Sequence, residues 1–422
     1  MSFDTAVSGI KASSVSLGII GNNIANAGTA GFKTSRGEFA DVFTSSLLGS
    51  SGSTAGKGVA VVGVSQAFTQ GNIRVTDNVL DIAINGSGFF VLDDKGTNVY
   101  SRAGNFQVDR SGYVVNPNGN RLQVFSTTEA GVVTGERKAL RIDTSLIQPK
   151  QTALVEVHAN LDSRATEPTL AWPAAGFDAF ATPPTAPDPD MYNASTSLTI
   201  YDSLGNAHVQ SMYFVKADGD NEWDVYTLID GVSVSGPDTV PFTSSGQIDV
   251  DDLPLEIDIA GWQPLNSEGE ANGADAVDMV LDLSGLTQFG NEFSVNNMSQ
   301  DGYTTGQLRG VEVGDTGIVF TRFTNGQSRA LGQIALANFS NTAGLQPLGS
   351  TAWAETFASG QPAIGGPGTA GLGTVQSGAL EDSNVEVTQQ LVDMIVAQRN
   401  FQANAKVIQT EDTITQAVIN LR

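Results

Sequence analysis

The chain has no cysteine, only two histidines, and no apolar run near the ~18 residues that a bilayer span needs. The missing cysteines exclude disulfides, thiolate nucleophiles and thiolate metal ligands. His158 and His208 stand 50 residues apart, and neither has carboxylates at a ligand or triad spacing. There is no G-x-S-x-G elbow, and no G-x-G-x-x-G follows a strand pattern. Gly56-Lys57 is followed by Gly58 where a phosphate loop needs Ser or Thr, and Ser51 stands at its first glycine position. Asp218-Gly219-Asp220 and Asp249-Val250-Asp251-Asp252 lack the spacing of a calcium loop and read as turns and solvated strand ends. The opening MSFDTAVSGIKASS carries no basic segment leading into an apolar one, so no cleaved secretory signal is expected. No catalytic, cofactor-binding or metal-ligating residue is expected, and no enzyme.

Basic residues are also scarce, at 21 against 45 acidic ones in 422 residues. The imbalance is local. Residues 148–300 hold 24 acidic and three basic side chains, a net of −21, which leaves the rest of the chain near neutral. So acidic a block repels phosphate backbones and excludes nucleic acid as its partner. It reads as a solvent-facing domain, whereas the near-neutral ends are surfaces able to associate.

Glycine and proline, frequent elsewhere, are absent from residues 383–422. Ser383 and Glu386 stand at a capping-box spacing, which predicts a helix of 40 residues about 60 Å long. Val387, Leu391, Met394, Phe401, Ala405 and Ile408 recur on one side of it, and the stripe drifts to Val407, Ile414, Val418 and Leu421. At the other end Phe3, Val7, Ile10, Leu17 and Ile24 form a 4-3 series, with Ser14 and Gly21 in its remaining slots. The two helices are expected to find each other. Asn22, Asn23 and Asn26 sit where the first helix frays, and Gly28 and Gly31 stop it.

Between the ends the period changes to two. Residues 59–125 alternate in short pieces broken by Gly, Asn and Asp, with Asn116-Pro117-Asn118-Gly119 as a turn. Ser45–Gly58 reads as a flexible connector, residues 167–193 as a Pro/Ala-rich surface loop, and Gly360–Gly373 as a loop leading into the final helix. Two hairpins are expected around residues 203–206 and 218–221. The fold class is mainly β with terminal α-helices: nested β domains between N- and C-terminal helices that form a coiled-coil-like layer. The expected divisions are 1–70 with 379–422 (terminal helical, inner), 71–147 with 295–378 (middle β), and 148–294 (acidic outer β).

GNNIANAGTAGFKTSRGEFADVF, DNVLDIAINGSGFFVL, YSRAGNFQVDRSGYVVN and LEDSNVEVTQQLVDMIVAQRNFQANAKVI, in that order, resemble the shared signatures of the bacterial flagellar rod and hook proteins. YDSLGNAH and LGQIALANF extend the likeness to hook proteins. The resemblance implies an extracellular, homopolymeric tube that acts as a flexible universal joint, carries motor torque from rod to filament and encloses an export channel. It implies as partners the distal rod protein, the hook cap protein, the hook–filament junction protein and the type III export apparatus, without membrane insertion. A Cys–Lys cross-link known in some hooks cannot form here. The implied assembly residues are Phe3, Val7, Ile10, Leu17 and Ile24, with Leu391, Met394, Phe401, Ile408 and Val418; Asn22, Asn23, Asn26, Gly31, Phe32 and Lys33 come from the family motif. Two other readings remain: a distal rod protein, which lacks so large an acidic insertion, and a secreted carbohydrate-binding adhesin or hydrolase with Trp172, Trp223 and Trp262 as its platform.

Overall fold

The computed structural model describes residues 3–42, 56–128, 131–219, 221–249 and 255–420. Residues 45–55 of the expected connector, Asp220, Val250, Asp251, Asp252 and Leu421, and the side chain of Val418, lie outside the described residues. The chain divides into two compact units: 1–144 with 309–322 and 328–422, and 145–308 with 323–327. It therefore leaves the first unit, builds the second, and returns.

The first unit opens with α1 (Phe3–Ala25) and the antiparallel hairpin β1 (Ser35–Asp41) and β2 (Val59–Gln66), whose register slips at Glu38/Phe39. Two short ladders then join opposite ends of the sequence. β3 (Ile73–Val75) pairs with Ala379–Glu381, and β4 (Ile82–Asn85) with Thr374–Ser377. Thus two strands, rather than a loop alone, lead from the Gly-rich segment towards the last helix. The main sheet interleaves both sides of the insertion as well. β5 (Phe89–Asp94) pairs with β6 (Thr97–Ser101) and also with Leu336–Asn338, while Ala352–Ala354 adds to β6. Beneath it Phe68, Phe89, Tyr100, Phe339 and Trp353 meet edge-to-face at 4.8–5.9 Å, a favoured aromatic geometry. The Asn116 turn forms as its residues require: Asn116 Oδ1 accepts from the N–H groups of Asn118 and Asn120, and Gly119 has φ +87°.

The C-terminal helix α2 runs Val387–Asn420, 34 residues and about 51 Å long at ~1.5 Å per residue. It starts later than the capping-box spacing predicts. Ser383 Oγ accepts from Val385 N–H, and the first helical bond runs from Gln390 N–H to Glu386 O. Asn384, between the Ala379–Glu381 strand and α2, is instead tied to the segments flanking the β1–β2 hairpin. Asn384 Oδ1 accepts from Thr34 N–H at 2.7 Å, and its Nδ2 donates to Ala67 O at 2.8 Å.

The second unit is a sandwich. Four antiparallel strands (Ala194–Tyr201, Ala207–Lys216, Glu222–Ile229 and Val232–Pro241) form one sheet in chain order, with the two expected hairpins in it. The other sheet centres on Leu154–Asp162, which runs parallel to Val277–Asp282 and antiparallel to Ser294–Gln300. The strand Ser294–Gln300, of which all but Ser294 was placed with the middle domain from sequence, therefore belongs to this sandwich. Val155, Leu161, Ile200, Phe214, Trp223 and Leu281 fill the space between the sheets. The loop over 167–193 is pinned by Trp172, which stacks on Tyr226 at 4.3 Å and 16° and meets Phe177 edge-on.

One charged cluster joins three turns of this unit. His208 Nδ1 lies 2.6 Å from Asp230 Oδ2 and its Nε2 lies 3.4 Å from Asp202 Oδ2, which also accepts from Asn206 and Asn272. Burial pulls the imidazole pKa down, but the two carboxylates outweigh it and hold it above its ordinary value of 6.5. The protonated ring thus stabilises the fold fully below pH ~6.5, and that contribution is lost as pH rises through the folded pKa. Melting of this unit, followed by calorimetry, should move to lower temperature as pH rises above about 6.5, and His208→Gln should flatten that slope.

Candidate assembly interface

α1 and α2 lie against each other in antiparallel sense. Asn23 Nδ2 donates to Gln390 Oε1 at 3.0 Å, and fourteen residues earlier a Cβ on Gly9 would come 2.7 Å from the Asn404 amide, fourteen residues further along α2. Equal steps on both helices make four turns of a 3.5-residue repeat, the coiled-coil period. On α1 the seam is the row Ala6, Gly9, Ser13, Ser16, Ile20, Asn23, at alternating steps of three and four. On α2 it is Gln390, Ala397 and Asn404, at steps of seven. This seam is small and polar. A side chain at Gly9 would press on Asn404, so glycine there sets how closely the backbones approach.

The apolar stripe named from sequence lies elsewhere. At 3.6 residues per turn, Phe3, Val7, Ile10, Leu17 and Ile24 fall roughly a quarter-turn from the α1 seam. Phe3 is exposed and the other four are half-buried. On α2, Leu391 and Phe401 are exposed, and Met394 and Ile408 half-buried. The far side of α2 from the seam carries Val392 and Ile395, while Val396 lies about a quarter-turn from the seam at the edge of the cavity beside the β1–β2 hairpin; the three are about half exposed at 50%, 49% and 49%. Sequence reading passed over these three because they sit between two candidate stripes rather than on one. Phe39, Val61, Val62 and Val64 of the β1–β2 hairpin are exposed too. Between α1, this hairpin and α2 lies a cavity of about 930 Å³, lined by Ala12, Ile20, Phe39, Val396 and Ala397 among others. Full burial of a side chain of this size is worth about 1.5–3 kcal/mol. Much of that stabilisation is left unrealised in a single chain.

The remaining motif residues build the joint that aims the helices. Asn22 is exposed and Asn26 half-buried, its Oδ1 accepting from Thr29. Asn23 is buried, and besides Gln390 it bonds Ser35 through both side-chain atoms, Nδ2 to O at 2.8 Å and Oδ1 from N–H at 2.9 Å. Gly31 has φ +70°, and a Cβ on it would sit 2.4 Å from Ala103 N; its N–H donates to Glu381 O. Phe32 is half-buried. Lys33 is fully buried: its Nζ donates to Glu381 Oε1 and to Thr69 O, both at 2.7 Å. Arg102, also buried, brings Nε to 2.8 Å from Glu381 Oε2 and donates to Gly86 O and Gly88 O. Burial pushes the Lys33 and Arg102 pKa values down, against the pull of Glu381. Lys33 was named from the family motif, but its partners Glu381 and Arg102 were not; nothing in spacing links positions 348 residues apart.

No group of three His, Asp or Glu able to hold a metal occurs among the described residues, and no helix is long and apolar enough to cross a membrane. Trp172, Trp223 and Trp262 do not share a platform: Trp172 stacks on Tyr226, Trp223 is buried in the sandwich, and Trp262 packs edge-on against His208.

β units set in sequence between two terminal helices whose aliphatic side stays open have the form of a structural subunit. Four family models match in chain order: "Flagella basal body rod protein" (3–33), "Flagellar hook protein FlgE/F/G D1 domain" (83–160), "Flagellar basal body protein FlaE D2 domain" (160–303) and "Flagellar basal body rod FlgEFG protein C-terminal" (376–421). The flagellar hook protein FlgE of Escherichia coli K12 is 38% identical over 433 aligned residues, covering all of both chains. That of Borreliella burgdorferi is 33% identical over 455, covering 99% of this chain and 98% of its own. In fold, the chain resembles a Helicobacter pylori flagellar hook protein at a TM-score of 0.54 and 15% identity, over 73% of this chain and all of that one. The chain belongs to the flagellar hook protein family.

Removing Glu381 should leave two buried cations without a counter-charge. Glu381→Ala is expected to cost about 3–5 kcal/mol in urea unfolding followed by far-UV circular dichroism, as breaking a buried pair from one side does. Arg74→Ala, in an exposed pair with Asp382, should change stability by less than about 1 kcal/mol.

Proposed function

We propose that copies of this chain polymerise into the hook as a flexible tube, with α1 and α2 as its inner wall around an export channel. The observation that carries this reading is the aliphatic side of α2 at Leu391, Val392 and Ile395, left open while a polar seam holds α2 to α1. Only neighbouring copies along the tube can cover that side by repetition. A contact between two different patches of identical subunits does not close on itself, and it propagates a helical filament.

In this reading the β sheets of the first unit form the middle layer and the acidic sandwich, Ser294–Gln300 included, the outer one. Torque transmission requires subunits on the inside of a bend to approach and those outside to separate. The outer block, at a net of −21, offers wet, like-charged surfaces that slide, where a dry apolar seam would lock. The distal rod protein, hook cap protein, hook–filament junction protein and type III export apparatus are its partners here. Export proceeds without a cleaved signal, and the assembled tube is extracellular.

Val392→Glu with Ile395→Glu tests this directly. Both side chains are half exposed in the single chain, so the change should leave circular dichroism and melting temperature nearly unaltered, within about ±0.5 kcal/mol per site. Electron microscopy should then show tubes from the wild-type chain and none from the variant. Tubes from both would overturn the inner-wall assignment.

A further inference from the structure

The sequence holds four Asn-Gly steps, at 85–86, 118–119, 272–273 and 325–326. A glycine after asparagine leaves its own nitrogen open to the asparagine side chain, because no Cβ shields it. Once solvent has taken its proton, that nitrogen adds to the asparagine Cγ. The new N–Cγ bond closes a succinimide ring, and the Cγ–Nδ2 bond breaks with release of ammonia. Water then opens the ring at either carbonyl, giving aspartate or an isoaspartate whose main chain runs through the side-chain carbon. The only co-reactant is water. The step does require an asparagine side chain free to rotate onto the next nitrogen.

The fold withholds that freedom at three of the four steps. Asn325 Nδ2 donates to Thr304 O at 2.8 Å and its Oδ1 accepts from Gln327 N–H at 3.1 Å. Asn272 Nδ2 donates to Asp202 Oδ2 at 2.7 Å and its Oδ1 accepts from Ala274 N–H at 2.8 Å. Asn85 is exposed, but Gln70 holds both reacting groups: its Nε2 donates to Asn85 Oδ1 at 3.4 Å, and its Oε1 accepts from Gly86 N–H at 3.1 Å. Asn118 differs. It and Gly119 are exposed, a Cβ on Gly119 would meet nothing within 4 Å, and among the described residues the Asn118 side chain makes no hydrogen bond. Asn116 is the reason: its Oδ1 already serves as the side-chain acceptor of this turn, which leaves the Asn118 amide idle. The Gly119 N–H bonds Asn116 O at 2.9 Å, but the Gly326 N–H bonds Phe323 O at 3.1 Å in the same way, so the nitrogen does not separate these two steps. The side chain does.

We propose that Asn118 is the site of spontaneous deamidation in the folded chain, and that side-chain hydrogen bonds suppress the same reaction at Asn85, Asn272 and Asn325. The inference concerns the single folded chain and does not depend on the assembly reading. Isoaspartate at 118 lengthens the main chain between Asn118 and Gly119, inside the span that Asn116 Oδ1 closes by accepting from the N–H groups of Asn118 and Asn120 at 3.1 and 2.9 Å. The turn joining Val114–Val115 to Arg121–Thr127 then loses that closure and gains a carboxylate.

The test is to hold the full chain in dilute, mildly alkaline buffer and follow amide-to-carboxylate exchange by peptide mapping with mass spectrometry. Asn118 should convert about tenfold or more faster than each of the other three, since two hydrogen bonds must open before any of those reacts. In urea the four rates should converge. Gln70→Ala changes an exposed side chain and should raise the Asn85 rate towards that of Asn118. Equal rates at the four steps in the folded chain, or an Asn118 lead that persists undiminished in urea, would overturn the assignment. An Asn85 rate unmoved by Gln70→Ala would overturn the protection by hydrogen bonding.

Discussion

Glu381 lies out of solvent between Lys33 and Arg102, and the organisation of the first unit depends on that one carboxylate. It is the last residue of the strand that delivers the chain to α2. Lys33 leaves α1, Arg102 comes from the main sheet, and Gly31 and Gly71 donate backbone N–H groups to Glu381. A buried ion with fewer partners would be a liability, because desolvation exceeds what one Coulombic contact returns. Two cations and directed hydrogen bonds make this arrangement a positional lock. It fixes where both terminal helices start, although they come from opposite ends of the sequence.

Downstream of that lock the helices meet through a seam that is small and polar. Gly9 admits the Asn404 amide, and Asn23 divides its bonds between Ser35 and Gln390. Hydrogen bonds and close approach give register here, but little hydrophobic stabilisation. The aliphatic side chains that would supply it face away. This division suits a subunit that must hold its own helices in line and keep its apolar surface for copies of itself. The hairpin adds Phe39, Val62 and Val64, apolar side chains that a single chain leaves exposed.

The acidic sandwich follows a different logic. Its core is complete between two sheets, and its charge is spread over a surface that needs no partner to fold. The Pro/Ala-rich loop, with no periodicity of its own, is ordered because Trp172 finds Tyr226 and Phe177. The same packing removes the indole from any exposed binding platform.

The sequence by itself determined the element types, the nested order and the acidic division, because periodicity, glycine placement and net charge are local properties that survive without a structure. The 3.6-residue pattern of residues 387–420 and the turn chemistry of Asn116–Gly119 needed nothing further. Tertiary structure alone decided which helix face meets which. The richest apolar stripe of α1 is not its seam, since close approach selects Ala6, Gly9 and Ser13 over bulk. It alone also decided that Lys33, Arg102 and Glu381 converge, that strands rather than a loop precede α2, and that Ser294–Gln300 joins the sandwich. Each of these depends on residues dozens to hundreds of positions apart, and pairing over such distances leaves no mark on either segment read singly.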